Sequence, residues 1–199
     1  MHTRLVSFTG AKNIDQGVSY LREEVVPNLN AQHGYRGATA SADRSGGVLS
    51  ILSLWETEAD REASESALAK NRQEGLGIIG GEMTVETFEQ MVAEISERPA
   101  VGSPLMVTRI SMEPAKIEEN FEFFKSEILP RIKSNPGFRS LRNMMNRQTG
   151  HGVVGVVWAD QQSMESAAAL APSRRQPSID RGVRFHGDSF REIALIDLP

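Results

Sequence analysis

The chain predicts an α+β fold built as two tandem βαββαβ copies of about 95 residues that pair inside one polypeptide. Three observations lead there. Sliding the sequence by 103 residues without a gap brings EEVVPNLNAQHGYRG over SEILPRIKSNPGFRS. The same offset carries GGVLSILSLW onto TGHGVVGVVW, matching Gly47 with Gly150 and Trp55 with Trp158. The apolar positions of the first helix also step identically in both copies: Ile14, Val18, Leu21, Val25 and Leu29 against Ile117, Phe121, Phe124, Ile128 and Ile132.

Each copy opens on a short apolar strand, Leu5 to Phe8 or Met106 to Met112. The helix that follows carries Pro27 or Pro130 near its end, where a missing N–H predicts a kink or tightened turn. Gly34 and Gly137 suit the left-handed conformation that closes a helix, and a second strand follows each, Tyr35 to Ser41 or Phe138 to Asn146. Turns at 43–47 and 146–150 lead into β-rich runs, Val48 to Trp55 and Val153 to Trp158, so each copy carries a central hairpin. Thr57 and Asp160 are suitable N-caps for an Ala-rich second helix through Ala63, Ala67 and Leu68, or Met164, Ala167 and Leu170. A polar loop then reaches a last alternating strand, Thr87 to Ile95 or Ser189 to Leu198. Copy one spans 1–96 and copy two 104–199; the polar, Pro-interrupted stretch 97–103 reads as a linker that holds each copy at high effective concentration for the other.

Composition excludes several classes of function. Net charge is −4, from 22 Lys plus Arg against 26 Asp plus Glu, without the basic run that a phosphate backbone requires, so no nucleic-acid partner is expected. Arg174 and Arg175, with Arg181 and Arg184 nearby, form the densest basic cluster and read as a solvated loop after the second helix in preference to an anion site. The absence of cysteine removes disulfides, thiolate metal sites and cysteine nucleophiles. No apolar run reaches the 18 or so residues that span a bilayer, and the N-terminus lacks a leader pattern, so a cytoplasmic protein with no membrane partner is expected. Phosphate-binding loops, His-x-x-x-His metal spacing and Gly-x-Ser-x-Gly elbows are absent, so no metal is expected.

The segment ILSLWETEADREA, preceded by a Pro…Gly-Tyr turn and matched by Pro-Gly-Phe in the second copy, resembles the antibiotic biosynthesis monooxygenase type of dimeric α+β barrel. The resemblance covers nearly the whole chain. It implies ferredoxin-like units whose antiparallel sheets face each other in a barrel, here as an intramolecular pseudo-dimer. Edge strands of such barrels can pair between chains, so a homodimer of the pseudo-dimer is the further assembly to expect. The family includes cofactor-free oxygenases of aromatic polyketides, haem-degrading monooxygenases and members without known activity. Its haem-degrading enzymes place a Trp at the end of the third strand, matching Trp55 and Trp158. Their first-strand Asn falls on Leu5 and Thr108, and their His on Glu65 and Ala168, so the axial imidazole is missing. The resemblance therefore implies a cofactor-independent monooxygenase acting on a small hydrophobic or aromatic molecule, with no cofactor. A non-catalytic module that binds a hydrophobic ligand is the alternative, and haem chemistry ranks behind both.

Candidate site residues follow from residue type. Trp55 and Trp158 are each a core residue or a pocket wall, and Gly152 and Gly155 leave room beside Trp158 or accommodate Phe121 and Phe124. Asn143 offers an amide in a Met-rich lining, and Phe124 an apolar wall. His186 leads into the last strand beside Phe185 as the candidate acid–base group. Arg109 interrupts an apolar strand and would want an anion if it faces a cleft.

Overall fold

The computed structural model describes residues 1–198; Pro199, which ends the second copy, lies outside them. The chain gathers into two compact units, one of residues 1–87, 100–102 and 192–198, the other of 88–99 and 103–191. In chain order the first copy supplies β1 (His2–Thr9), α1 (Ile14–Tyr20), α2 (Val26–Asn30), β2 (Tyr35–Asp43), β3 (Val48–Trp55), α3 (Glu58–Ala63), α4 (Glu65–Ile79) and β4 (Glu82–Ile95). The second supplies β5 (Pro104–Ser111), α5 (Ile117–Phe123), α6 (Leu129–Lys133), β6 (Phe138–Met145), β7 (His151–Trp158), α7 (Gln161–Ile179) and β8 (Arg184–Asp197). The fold is α+β, with hydrogen-bonded strand order β1-β3-β2-β8-β5-β7-β6-β4 closing as a barrel.

The last strand of each copy begins earlier than the sequence reading placed it. β4 and β8 have 14 residues each. In the first unit, 192–197 of β8 lies antiparallel to β2, with Ala38 opposite Asp197 and Ala42 opposite Glu192. In the second, 89–95 of β4 lies antiparallel to β6, with Glu89 opposite Met145 and Ile95 opposite Ser140. The sequence reading began these strands at Thr87 and Ser189, five residues after β4 and β8 start.

The first helix of each copy holds a π-helical turn, Leu21–Val25 or Phe124–Ile128, immediately before α2 or α6. Pro27 and Pro130 sit in the first turn of α2 and α6. A proline lacks the donor for the carbonyl four residues back and its ring collides with that carbonyl, and a wider turn relieves both faults. Gly34 (φ +71°) and Gly137 (φ +78°) then reverse the chain. Each also packs on the next helix cap: a Cβ would fall 2.3 Å from Asp60 Cγ or from Ser163 Oγ. The caps are as expected, Thr57 accepting from Asp60 N at 3.1 Å and Asp160 from Ser163 N at 2.7 Å.

The second helix of copy two corrects the sequence reading. α7 runs through Pro172 and Pro177 as far as Ile179, so Arg174 and Arg175 are helical residues and not part of a solvated loop. Each proline removes one ladder hydrogen bond, and the buried face Met164, Ala167 and Ala171 keeps the helix on the sheet.

The two cores are organised differently. In the first unit one apolar cluster runs from Val6 and Phe8 through Leu21, Leu49 and Trp55 to Leu68 and Ile79. In the second the apolar residues divide. Met106, Leu141, Trp158, Met164 and Ala167 form one cluster, and Ile110, Ile117, Met145 and Val183 form another.

Candidate functional site

Between the two clusters of the second unit lies a cavity of about 140 Å³. Its apolar walls are Met106 and Ile110 on β5, Phe121 and Phe124 on the first helix, Val154 and Val156 on β7, and Ala167 and Ala171 on α7. Trp158, Asn143, Asn120, Thr108, Arg174 and Arg175 add polar atoms. The equivalent space of the first unit is about 40 Å³.

Paired substitutions explain the difference. The ladders place Arg4 opposite Ser53 and Met106 opposite Val156, so Arg4 and Met106 are counterparts. The same ladders make Val6, not Leu5, the counterpart of Thr108, one residue away from the offset of 103. Arg4 is buried and fills its space, donating to Ser64 Oγ at 3.0 Å and pairing with Glu65 at 2.8 Å. Leu68 stands where copy two has Ala171. Gly17 lets α1 and α4 close together, since a Cβ there would lie 2.6 Å from Ile79 Cγ1; its counterpart Asn120 carries a side chain. The space does not come from Gly152 or Gly155. A Cβ on Gly152 would strike Met145 Sδ at 2.1 Å, and Gly155 is not among the lining residues. Met145 has taken the volume that Leu49 fills in the first unit, where Ala42 replaces Met145.

Three buried polar atoms of the lining have no hydrogen-bond partner among the described residues: Trp158 Nε1, Asn143 Oδ1 and Asn120 Oδ1. Trp55 Nε1 donates to Ser53 Oγ at 3.0 Å, but in the second unit that serine is Val156, so the Trp158 N–H is left over. Asn143 is 4% exposed, on the strand face that Met145 shares. Asn120 donates from Nδ2 to Lys116 O at 3.1 Å, leaving its oxygen unused.

The α7 arginines are held in different ways. Arg175 donates to Asp188 Oδ1 at 2.6 Å and to Thr108 Oγ1 at 3.3 Å, with its guanidinium 4.7 Å from the Phe185 ring. Thr108 also donates to Asp188 at 2.7 Å. Burial raises the Asp188 pKa, but the hydrogen bonds from Arg175 and Thr108 outweigh it and hold the carboxyl below its ordinary value. Arg174 donates to Asn135 Oδ1 at 2.7 Å.

Of the residues singled out from sequence, the cavity brings together Trp158, Asn143 and Phe124. Trp55 is fully buried in the first unit, edge-on to Tyr35 at 5.6 Å, and does not line the smaller space there. Arg109 points away from the lining face, because Thr108 and Ile110 on either side of it face the cavity. His186 is exposed outside the lining, 2.7 Å from Ser111 Oγ and stacked on His151. Sequence reasoning missed Asn120 and Thr108 as lining residues, and it placed Arg174 and Arg175 in a solvated loop in preference to an anion site. Gly17 against Asn120 at matched positions was the available signal for the first. The arginines were hidden by the prolines around them.

No protein-family profile matches the chain. Two uncharacterized proteins of Mycobacterium tuberculosis are relatives. Rv2557 is 28% identical over 152 residues, 76% of this chain and 68% of that protein. Rv2558 is 24% identical over 188 residues, 94% and 78%. Among solved structures, an anthrone oxidase-like protein superposes with TM-score 0.72 at 15% identity, covering 98% of this chain and 92% of that one. A Listeria monocytogenes ferredoxin-fold protein related to antibiotic biosynthesis monooxygenases gives TM-score 0.54 at 11% identity, covering 97% and 95%. The fold is that of the antibiotic biosynthesis monooxygenase-like α+β barrels. A haem-degrading enzyme of Listeria monocytogenes has it too, with TM-score 0.53 at 12% identity over 96% and 99% of the two chains. Likeness at this identity fixes the barrel and leaves chemistry to the residues. Among the described residues, no helix is long and apolar enough to cross a membrane, and no cluster of three metal-ligating side chains occurs.

Proposed function

We propose that the second copy binds a small oxygen-bearing aromatic molecule in its cavity and acts on it as a cofactor-independent, monooxygenase-like protein, with the first copy as scaffold. The observation that carries this reading is the trio of unpartnered polar atoms in an apolar cavity. A buried donor or acceptor without a partner costs about 1–3 kcal/mol, and a ligand hydroxyl or carbonyl would recover that cost. A phenolic oxygen can accept from Trp158 Nε1, and a hydroxyl can donate to Asn143 or Asn120. The volume resembles cavities of about 150 Å³ that take up benzene, which favours a single ring over a fused polycycle.

Reaction of such a molecule with dioxygen without a cofactor requires an electron-rich anion, a phenolate or quinolate. The Trp158 N–H and the nearby guanidinium groups favour that anion over its neutral form. No Asp, Glu, His or Tyr stands among the lining residues, and this favours a second reading, a binding module without turnover. Haem does not fit: no imidazole lines the cavity, and a porphyrin is several times larger than the benzene-sized space. The test is oxygen uptake by the full chain with a panel of single-ring quinols and phenols, alongside calorimetric binding. Uptake abolished by Trp158→Phe supports the oxygenase. Saturable binding without uptake supports the module, and no binding overturns both.

A further inference from the structure

We propose that the ligand is an anion, a hydroxylated single-ring aromatic carboxylate whose carboxylate is held by Arg174; this rests on the cavity being a ligand site. Ala167, Ala171, Arg174 and Ser178 repeat at helical spacing and line the cavity together, so Arg174 shares a wall with the small residues that make the space. Its guanidinium is oriented from one side. Asn135 accepts from Nη1 at 2.7 Å and is itself anchored, Nδ2 donating to the carbonyls of Arg131 at 2.7 Å and Ile132 at 2.9 Å.

The two adjacent arginines differ in how their charge is balanced. Arg175 is neutralised by Asp188 at 2.6 Å. Arg174 has no carboxylate within ion-pair distance among the described residues. A cation placed against an apolar wall without a counter-ion is a ready partner for an incoming anion, and the planar guanidinium fork suits a carboxylate in particular. The first copy carries Asn71 at this position, engaged with Tyr20 and Asn28, and has only a residual space beside it. The cation is therefore found in the copy that has the cavity. A simple fatty acid would satisfy Arg174 but leave Trp158 Nε1, Asn143 Oδ1 and Asn120 Oδ1 unpaired, whereas a ring hydroxyl serves one or more of them.

The experiment is isothermal calorimetry of the full chain with the three hydroxybenzoate isomers and the matching hydroxybenzamides, for the parent, Arg174→Gln and Arg174→Lys proteins. The expected result is that at least one acid binds the parent about ten- to a hundredfold more tightly than its amide, the range of a charge-assisted hydrogen bond. Arg174→Gln should bring the ratio of acid to amide affinity down to about one, and Arg174→Lys should keep part of it. If acid and amide bind the parent equally, or if Arg174→Gln retains the preference, the anion assignment is overturned while the cavity reading survives. If neither acids nor amides bind, both are overturned.

Discussion

Trp55 and Trp158 show what one neighbouring residue does to a buried indole. Both are almost fully buried, and the difference is whether Ser53 or Val156 stands two residues earlier. Because the Trp158 N–H has no partner among the described residues, Trp158→Phe should change stability little beyond repacking. It should weaken a ligand that accepts from Nε1 about fivefold, the worth of one neutral hydrogen bond, as calorimetry would show. Val156→Ser should supply the acceptor that Ser53 supplies in the first unit. The expected result is lower ligand affinity with the indole N–H newly protected from hydrogen exchange, read by NMR. An unchanged indole signal would mean that the serine does not reach it. Both tryptophans were legible as candidates. Their partners were not, because an acceptor two residues away on a strand matters only once the indole folds back over it.

At the scale of elements, the two helices of each copy set the width of the space between them. Gly17 permits close approach to Ile79 and Leu49, so Gly17→Ala should destabilise by about 1–3 kcal/mol in urea unfolding through overpacking. Ala171→Leu imitates Leu68 and should do the reverse in the second unit. It should raise stability by about 1–2 kcal/mol, from three added carbons at about 0.8 kcal/mol each less some strain, and abolish ligand binding. A destabilised variant that still binds would show that Ala171 does not bound the cavity. The N-caps Thr57 and Asp160 and the hairpins could be anticipated from local chemistry, whereas at Pro27 and Pro130 a kink or tightened turn was expected and the structure has a widened π-turn ahead of each instead. The length of α7 could not be anticipated, because Pro172 and Pro177 are helix-breaking locally and only packing of its small-residue face keeps the helix intact.

At the scale of the whole molecule, the first unit leaves only a small space beside its apolar cluster, whereas in the second a larger cavity lies between two apolar clusters. Hydrogen exchange should therefore find slower opening in β1 and β3 than in β5 and β7, and ligand should slow the second pair selectively. The Arg175–Asp188–Thr108 cluster adds a pH dependence. Because the Asp188 pKa is depressed in the folded state, its contribution to stability is present above the unfolded carboxyl value of about 3.9 and is lost as pH falls through the folded value. Urea midpoints measured from pH 6 down to pH 3 should fall more steeply for the parent than for Asp188→Asn. Parallel curves would assign the acid sensitivity elsewhere.

The repeat at an offset of 103, the matched helical faces and the paired hairpins are properties of spacing along the chain, and they determined the two α+β copies without any knowledge of contacts, while closure of the sheets into a barrel was implied by the family resemblance. Tertiary structure decided which copy has room for a ligand. That depends on differences of volume between side chains far apart in sequence, such as Arg4 against Met106, Leu68 against Ala171 and Gly17 against Asn120. Periodicity records which face of an element is buried, whereas a cavity is the volume left after many side chains have packed, and no single segment encodes that remainder.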